Sequence, residues 1–448
     1  MAQDKSILII GGGIAGLAAA SKLGRAGLRV LVLEARDRIG GRIFTQQIPG
    51  CDIPIELGAE FIHGLAPEIW EPLQERGTEI NEVDGENWCV SNHRLSPCRF
   101  FSQVDSILNK MDDSSLDESF LAFLERCFPN PTNDPELQEA KQRALGYVSG
   151  FNAADPGLVG VHWLVRGMRA EESIEGDRAF RSKNGYADLL DVFQQRIGEC
   201  NGTVRTGTVV ESVTWKAGHV EVTAHSPDSR SVFTSTHILI TLPLAVLRAP
   251  VGELGAVQFN PALPERKLES LDKLEMGTVI RISLRFRHRF WDAISPSSDS
   301  KKTLSNMSFL FSQDERFPTW WTTMPHKSSM ITGWAPFRSA EQLSGSNHSL
   351  VVQQSLQTLD GLMGVNWQKL ESWLEGAYFH DWQSDPFSRG AYSYGKVGAN
   401  EAQGVLAAPI EDTLFFAGEA SDTSGHNGTV HGAIASGYRA ALEILQRR

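Results

Sequence analysis

The sequence predicts an α/β domain that binds a nucleotide, joined to a second domain of mixed sheet and helices. Near the N-terminus, an apolar run over residues 6–10 precedes the glycine-rich segment Gly11–Gly16, an alanine-rich stretch and a second apolar run that ends in Glu34. This order of strand, glycine turn, helix, strand and acid is typical of a dinucleotide-binding βαβ unit. Near the C-terminus, another apolar run leads into Gly418 and a final helix. Both ends therefore carry nucleotide-binding features, and the chain is predicted to leave this domain and return to it.

Three glycines of the first turn, Gly11–Gly16, have separate physical roles. Gly11 permits a sharp turn after the strand, Gly13 lets the backbone approach a pyrophosphate, and Gly16 lets the helix pack closely against the strand. The amides at the start of that helix would donate to the phosphates. Glu34 stands where a carboxylate accepts hydrogen bonds from a ribose.

A second motif follows Glu34 directly. Residues 35–42 read Ala-Arg-Asp-Arg-Ile-Gly-Gly-Arg. The two glycines, Gly40 and Gly41, permit another close approach of the backbone to phosphate, and Arg42 adds a cation beside it. The whole run is much more specific than a basic turn.

Together, these motifs make the chain resemble the flavin-containing amine oxidase superfamily, which includes monoamine oxidases, polyamine oxidases and lysine-specific histone demethylases. Internal runs extend the resemblance over nearly the whole chain: Leu57–Gly64, Val204–Val213, Gly277–Phe286, and Trp382 with Ser388–Tyr392. The pattern is most similar to soluble polyamine oxidases. The resemblance implies a Rossmann-like FAD-binding domain of the GR2 type and a separate substrate domain.

The resemblance and the pattern of apolar runs divide the chain between these domains. The FAD-binding domain is expected to comprise 1–80, 200–250 and 400–448, and the substrate domain 81–199 and 251–399. Residues 100–175 show helical patterns, and 279–286 alternate as a strand. Residues 231–242 are predicted to form a strand, after which the chain leaves the FAD-binding domain.

The resemblance implies a noncovalent FAD, because Ala391 stands where monoamine oxidases carry the cysteine that is bound to the flavin. The residues expected to contact the cofactor are Gly11, Gly13, Ile14, Ala15, Gly16, Glu34, Ala35, Arg36, Gly40, Gly41, Arg42, Leu57, Gly58, Ala59, Glu60, Val210, Trp382, Ala391, Gly418, Glu419, Thr429, Val430 and Ala433.

Four residues are expected at the catalytic centre. Tyr392 matches one wall of the aromatic cage around the substrate amine, and Thr429 stands on the opposite wall, where monoamine oxidases have tyrosine. Arg281 replaces a lysine that holds a water against the flavin, and arginine is not an equivalent replacement. His63 matches a histidine near the substrate of polyamine oxidases. The residues alone also allow a packed core tyrosine, a row of solvated arginines on the strand, and a structural histidine.

The resemblance implies oxidation of a C–N bond by hydride transfer to the flavin. The resulting imine gives an aldehyde and an amine, and oxygen gives hydrogen peroxide. A polyamine or secondary amine is the expected substrate. Alternatives are an amino-acid oxidase, an amine dehydrogenase that reacts poorly with oxygen, and a non-catalytic flavin-bound scaffold. Amino-acid oxidases commonly carry an arginine just after the position of Ala59, where this chain has Glu60 and Phe61.

Net charge, cysteine spacing and the length of apolar runs exclude several other classes of protein. The chain has 448 residues and a formal net charge of -12, which argues against nucleic-acid binding. The five cysteines form no metal spacing and no obvious disulfide framework, so a reduced, cytoplasmic setting and no metal site are expected. An apolar run long enough for a membrane anchor is lacking. The particular amine and the oligomeric state stay open.

Overall fold

The computed structural model describes residues 6–91, 94–129, 134–296 and 302–447. The strands are β1 (Ser6–Ile10), β2 (Arg29–Leu33), β3 (Thr45–Gln46), β4 (Ile55–Glu56), β5 (Ile62–His63), β6 (Ile80–Glu82), β7 (Glu86–Ser91), β8 (Arg94–Pro97), β9 (Ala179–Ser182), β10 (Thr203–Arg205), β11 (Val209–Lys216), β12 (His219–Ser226), β13 (Ser229–Ser235), β14 (Ile238–Ile240), β15 (Gln258–Asn260), β16 (Leu274–Met276), β17 (Val279–Phe286), β18 (Met307–Phe311), β19 (Thr319–Thr322), β20 (Met330–Pro336), β21 (Leu374–Tyr378), β22 (Ser393–Gly395) and β23 (Leu414–Phe416).

The α-helices are α1 (Ile14–Arg25), α2 (Pro67–Arg76), α3 (Phe100–Leu108), α4 (Phe120–Cys127), α5 (Pro135–Gly150), α6 (Val161–Glu172), α7 (Ala187–Glu199), α8 (Leu244–Leu247), α9 (Glu265–Asp272), α10 (Arg338–Leu343), α11 (His348–Met363), α12 (Trp367–Trp373), α13 (Ala402–Ala407) and α14 (Val430–Gln446). The helices predicted within 100–175 are thus present as α3 to α6. Among the described residues, none of the helices has both the length and the apolar character that crossing a membrane requires.

A five-stranded parallel sheet in the order β10-β2-β1-β14-β23 forms the centre of the half that contains strands from both the N-terminal and the C-terminal parts of the chain. Alternate residues of β1 serve two cores: Ile7 and Ile9 face helices α1, α7 and α14, whereas Leu8 and Ile10 face the sheet β13-β12-β11-β15. A strand covered on both faces reads as an uninterrupted apolar run, which is why β1 is so easily recognised in the sequence.

The structure differs from the sequence predictions at α7 and over residues 231–242. Helix α7 packs on α1 through Leu189, Phe193 and Ile197, so it shares the core of the parallel sheet, although the predicted boundary at residue 200 assigns it to the other domain. The single strand predicted over 231–242 is two strands in different sheets: β13 pairs with β12, and β14 pairs with β1. Apolar runs show where strands lie but not which sheet they join.

The second half is built on a seven-stranded mixed sheet in the order β21-β17-β20-β19-β18-β7-β8. Its strands share one apolar core with α10, α11 and α12, and the helices α3 to α6 form another with the β7–β18 side. Within β17, Ile280, Ile282 and Leu284 enter the first of these cores, as the alternation predicts. The opposite face of β17 is the one that the site uses.

The spacing of the cysteines shows no obvious disulfide framework, but the structure contains one disulfide. Cys89 and Cys98 are bonded across the hairpin of β7 and β8, where their Cα atoms lie 5.4 Å apart. Hairpin pairing produces this proximity, and the spacing of nine residues alone does not reveal it.

Candidate active site

One cavity of about 1190 Å³ reaches from the glycine turn after β1 to the helical layer of the second half. This volume exceeds that of most drug-sized pockets, which is up to ~1000 Å³, so an extended ligand and a second small molecule have room. Every residue predicted to contact the cofactor lines the cavity, except Gly16 and Leu57. All four residues predicted at the catalytic centre also line it: His63, Arg281, Tyr392 and Thr429.

Gly16 and Leu57 lie outside the lining but support it through their backbones. A Cβ on Gly16 would lie 2.1 Å from the carbonyl oxygen of Gly11, so this glycine permits the close contact of helix and turn. Leu57 is buried, and its carbonyl oxygen accepts a hydrogen bond from Nε1 of Trp382 at 2.9 Å. Leu57 therefore holds the tryptophan that lines the cavity.

At the end of the cavity beside the glycine turn after β1, which we call the nucleotide end, the Glu34 carboxylate is buried. Its Oε2 accepts the amide of Gly12 at 2.7 Å, and its Oε1 accepts the amide of Arg36 at 2.9 Å. Burial raises the pKa of Glu34 above its usual range. The carboxylate thus connects the turn after β1 with the segment after β2, and it lines the place where a ribose is expected.

The space beside Gly13 is large enough for part of a dinucleotide. A Cβ built on Gly13 meets no atom within 4 Å, and this residue is the N-cap of α1, whose first amides face the cavity without a capping side chain. On Gly58, by contrast, a Cβ would lie 1.9 Å from the Arg42 carbonyl oxygen, so the two glycine segments pack closely there. An anionic group fits the open cradle at Gly13.

Arg42 and Glu419 join the two ends of the chain at this cradle. Nη1 of Arg42 donates to the Ala391 carbonyl at 2.7 Å and to Oε1 of Glu419 at 2.8 Å. The other Glu419 oxygen accepts from the Ser393 hydroxyl at 2.6 Å and from the Gly428 amide at 3.0 Å. The N-terminal and C-terminal motifs are therefore one structural unit. Ala391 faces the cavity and carries no thiol.

Tyr392 and Thr429 both lie at the cavity wall, but their polar atoms are engaged with backbone. The Tyr392 hydroxyl donates to the Phe151 carbonyl at 2.6 Å, which orients the ring. The Thr429 hydroxyl caps α14, because it accepts from the Gly432 amide at 3.0 Å and donates to the His426 carbonyl at 2.7 Å. Thr429 thus contributes its shape and its methyl group to the wall.

Among the described residues, two histidines line the cavity, His63 on β5 and His431 at the start of α14. His63 lines the cavity, and burial lowers its pKa, which favours a neutral ring at pH 7. His431 lines it as well, and burial lowers the pKa of His431 to about 3. His431 was not predicted as a site residue, although it lies between Val430 and Ala433, which were expected to contact the cofactor.

The interpretation of Arg281 as a solvated strand residue is wrong. Its side chain is buried, with Nη2 donating to Oε2 of Glu60 at 2.7 Å and Nη1 donating to the Gly58 carbonyl at 2.9 Å. Arg181 donates to the other Glu60 oxygen at 2.7 Å. Glu60 was expected to contact the cofactor, but here it binds two arginines. Arg181 was not predicted as a site residue, because nothing in the neighbouring sequence marks it as a partner of a residue on β17.

The far end of the cavity is acidic, which the sequence motifs do not reveal. Its lining there includes Glu82, Asp84, Asp105, Glu171, Glu172 and Asp177. Arg178 lies among them, but its guanidinium is paired with Glu82 and Glu175. Burial raises the pKa of Glu171 to about 7. A chamber of this charge attracts cations.

Comparisons with known proteins agree with this geometry. The profile of the family "Flavin containing amine oxidoreductase" matches residues 14–445. "Lysine-specific histone demethylase 1 homolog 2" of Arabidopsis thaliana is 27% identical, over 99% of this chain and 58% of its own length. "Polyamine oxidase 4" of Oryza sativa subsp. japonica is 26% identical, over 100% of this chain and 90% of its own length. The chain therefore spans less than two thirds of the demethylase but nearly all of the oxidase.

Among solved structures, wild-type putrescine oxidase bound to putrescine superimposes with a TM-score of 0.80 at 20% identity, covering 99% of each chain. This likeness confirms the predicted fold class. The match of the family profile over nearly the whole sequence establishes the relationship independently. The chain belongs to the family of flavin containing amine oxidoreductases, enzymes that oxidise amines with a flavin.

Proposed function

We propose that the chain is an FAD-dependent amine oxidase whose substrate is a polyamine, or another secondary amine with a second cationic group. The reaction would oxidise a C–N bond to an imine that hydrolyses to an aldehyde and an amine, with oxygen reduced to hydrogen peroxide. The observation that carries this proposal is the acidic far end of the cavity, which is continuous with the wall formed by Tyr392 and Thr429.

The two ends of the cavity suit different parts of such a substrate. The cavity wall that includes Tyr392 also carries the aromatic side chains of Phe61, Trp321 and Trp334, which contact one another in series. Such a lining would exclude water and favour a neutral amine. At the acidic end, a remote ammonium group would be stabilised by carboxylates, Glu171 among them. A substrate with two separated amines satisfies both regions, whereas a simple monoamine satisfies one.

FAD is the flavin that we propose for this site, because the open cradle at Gly13 would accept a pyrophosphate and Glu34 lies where a ribose is expected. The bound flavin would supply the acceptor for a hydride equivalent. The protein would orient the substrate carbon with Tyr392, keep water out and leave His63 neutral for hydrogen bonding. Arg281 would contribute a buried cation close to the reacting atoms.

The amino-acid oxidase alternative is not favoured by the contacts of Arg281. Anchoring a substrate carboxylate requires a guanidinium whose charge is not already paired. Arg281 is ion-paired with Glu60 through one terminal nitrogen and donates to the Gly58 carbonyl through the other, whereas its buried Nε has no hydrogen-bond partner among the described residues. An amine without an adjacent carboxylate agrees better with this arrangement.

Acid denaturation is expected to release all of the flavin from the purified protein. Ala391 cannot form a thioether, and the cradle at Gly13 holds a ligand through hydrogen bonds and charge. The check is the absorbance of the supernatant and of the pellet after precipitation, with mass spectrometry of the released flavin to identify FAD. Yellow colour retained by the washed pellet would contradict noncovalent binding.

Glu171→Gln is expected to lower kcat/KM for a diamine about tenfold, close to 1.4 kcal/mol, and to leave a monoamine of similar length unchanged. Because burial raises the pKa of Glu171 to about 7, the carboxylate is protonated below that pH and charged above it. The wild-type preference for the diamine should therefore grow from roughly pH 6 to pH 8, and the variant should lose this trend.

The measurement is flavin bleaching after anaerobic mixing with a panel of amines. Glu269→Gln serves as the matched control, because Glu269 is exposed on α9 and lies outside the lining of the cavity. Equal losses for diamine and monoamine would contradict a site for a remote ammonium group. Failure of every amine to bleach the flavin would leave the non-catalytic scaffold as the better explanation.

A further inference from the structure

An arginine–glutamate–arginine cluster lies at the cavity wall, formed by Arg281 of β17, Glu60 and Arg181 of β9. The distances are 2.7 Å from Nη2 of Arg281 to Oε2 of Glu60 and 2.7 Å from Nε of Arg181 to Oε1. Nε1 of Trp321 also donates to Oε2 of Glu60, at 3.1 Å. Both oxygens of this one carboxylate are thus occupied by donors from three separate strands.

The cluster is largely removed from water. The exposed fraction is 5% for the Arg281 side chain, 12% for Glu60 and 15% for Arg181. Burial by itself would raise the pKa of Glu60, but the two arginines outweigh it and hold this pKa below its usual range. Glu60 is therefore charged at neutral pH, and its charge offsets that of one arginine.

The two arginines differ in what else holds them. Arg181 also donates to the carbonyls of Met324, at 2.6 Å, and Thr322, at 3.1 Å. Arg281 has one carbonyl partner, Gly58, Glu60 supplies its ionic contact, and its buried Nε has no hydrogen-bond partner in the part of the chain that the structure describes. Without the Glu60 charge, Arg181 would keep two backbone contacts, whereas Arg281 would have an unneutralised charge at the cavity wall.

We propose that Glu60 is a positioning residue that fixes the guanidinium of Arg281 against Gly58 and withholds this cation from anionic ligands. The cluster then acts as a specificity element: the cavity accepts amines and rejects molecules that carry a carboxylate near the reacting carbon. This inference rests on the proposed function only for the identity of the accepted substrate. The withheld cation is a property of the protein that can be measured without turnover.

The experiment measures the affinity of the flavin-loaded protein for benzoate, a small carboxylate that suits an aromatic cavity, by calorimetric titration. Glu60→Gln keeps the size of the side chain and removes its charge. Benzoate is expected to bind the Glu60→Gln protein at least about tenfold more tightly than the wild type, and the doubly substituted Glu60→Gln/Arg281→Met protein is expected to lose this gain.

Glu56→Gln is the matched control. Glu56 is a buried carboxylate near the cluster whose hydrogen bonds go to Thr45 and to the Tyr186 amide rather than to Arg281. Because burial raises the pKa of Glu56 to about 7, the titrations are made at about pH 8.5, where Glu56 is charged like Glu60. An equal gain in this control, or a gain that survives the loss of Arg281, would overturn the proposal, because the general field or Arg181 would then be responsible. Unchanged benzoate affinity in Glu60→Gln would overturn it as well.

Glu60→Asp covers the case in which Glu60→Gln does not fold or does not hold flavin. It keeps the charge but is one methylene shorter, so it cannot reach both arginines as Glu60 does. A gain of at least about threefold in benzoate affinity supports the proposal, and no gain overturns it. Absence of amine oxidation in the wild type would affect the proposed function alone, since benzoate binding requires no reaction.

Discussion

Replacing Gly13 with alanine is expected to lower the flavin affinity at least about a hundredfold, close to 2.7 kcal/mol, while the apoprotein keeps its fold. The backbone of Gly13 has φ -71° and ψ 171°, a conformation that alanine adopts readily. The new methyl group would meet no protein atom within 4 Å and would project into the open cradle. It would therefore exclude the ligand without straining the protein.

Gly16→Ala provides the contrasting case. Its Cβ would lie 2.1 Å from the Gly11 carbonyl oxygen, so the turn itself must deform and thermal stability should fall together with flavin binding. Gly146→Ala in α5 is the neutral control, because a Cβ there meets nothing within 4 Å. The measurements are thermal melting of the apoprotein and fluorescence titration with FAD. A Gly13→Ala protein purified with a full complement of flavin would contradict the position of the cradle.

Arg281→Met is expected to slow the oxidation of the reduced protein by air about tenfold, equivalent to ~1.4 kcal/mol of barrier. Reduction of oxygen builds negative charge in the cavity, and a buried cation in the cavity wall would stabilise that charge through space, without the direct contact that a bound carboxylate requires. The Glu60, Arg181 and Arg281 cluster has a net charge of +1, which the substitution reduces to zero. The slower oxidation is expected because the side chain loses its charge, not because it changes shape.

Arg281→Lys is the control for this experiment, because it keeps the positive charge but not the planar fork that contacts both Gly58 and Glu60. Stopped-flow absorbance after mixing with air-saturated buffer gives the rate, and thermal melting shows whether each variant is folded. A Met variant that reacts with oxygen as fast as the wild type would show that Arg281 has only a structural role beside Glu60.

The local motifs were predictable because each depends on neighbours in sequence. Strand β17 has the predicted bounds 279–286, since alternate residues of a strand with one apolar face repeat at every second position. The turn after β1 was equally clear, because a glycine with φ +105° at Gly11 and a close contact at Gly16 are requirements of a few consecutive residues. Such requirements leave a signature in the sequence.

The charge partners were not predictable from these signatures. Glu60 lies 221 residues from Arg281 and 121 residues from Arg181 in the sequence. The alternation of β17 placed Arg281 opposite the apolar face, but it could not distinguish water from a buried carboxylate on that side. The same limit explains the acidic end of the cavity, whose carboxylates come from separate elements of the second half.

The sequence by itself determined the glycine-rich motifs, the α/β fold class and the absence of a thiol at Ala391, since these depend on residue type and short-range spacing. The tertiary structure decided that α7 belongs to the parallel-sheet core, that Cys89 pairs with Cys98, and that Glu60 binds two arginines. The physical reason is that burial and ion pairing depend on distances between elements far apart in the chain. Those distances exist only once the two sheets and the helices α3 to α6 have packed around the cavity.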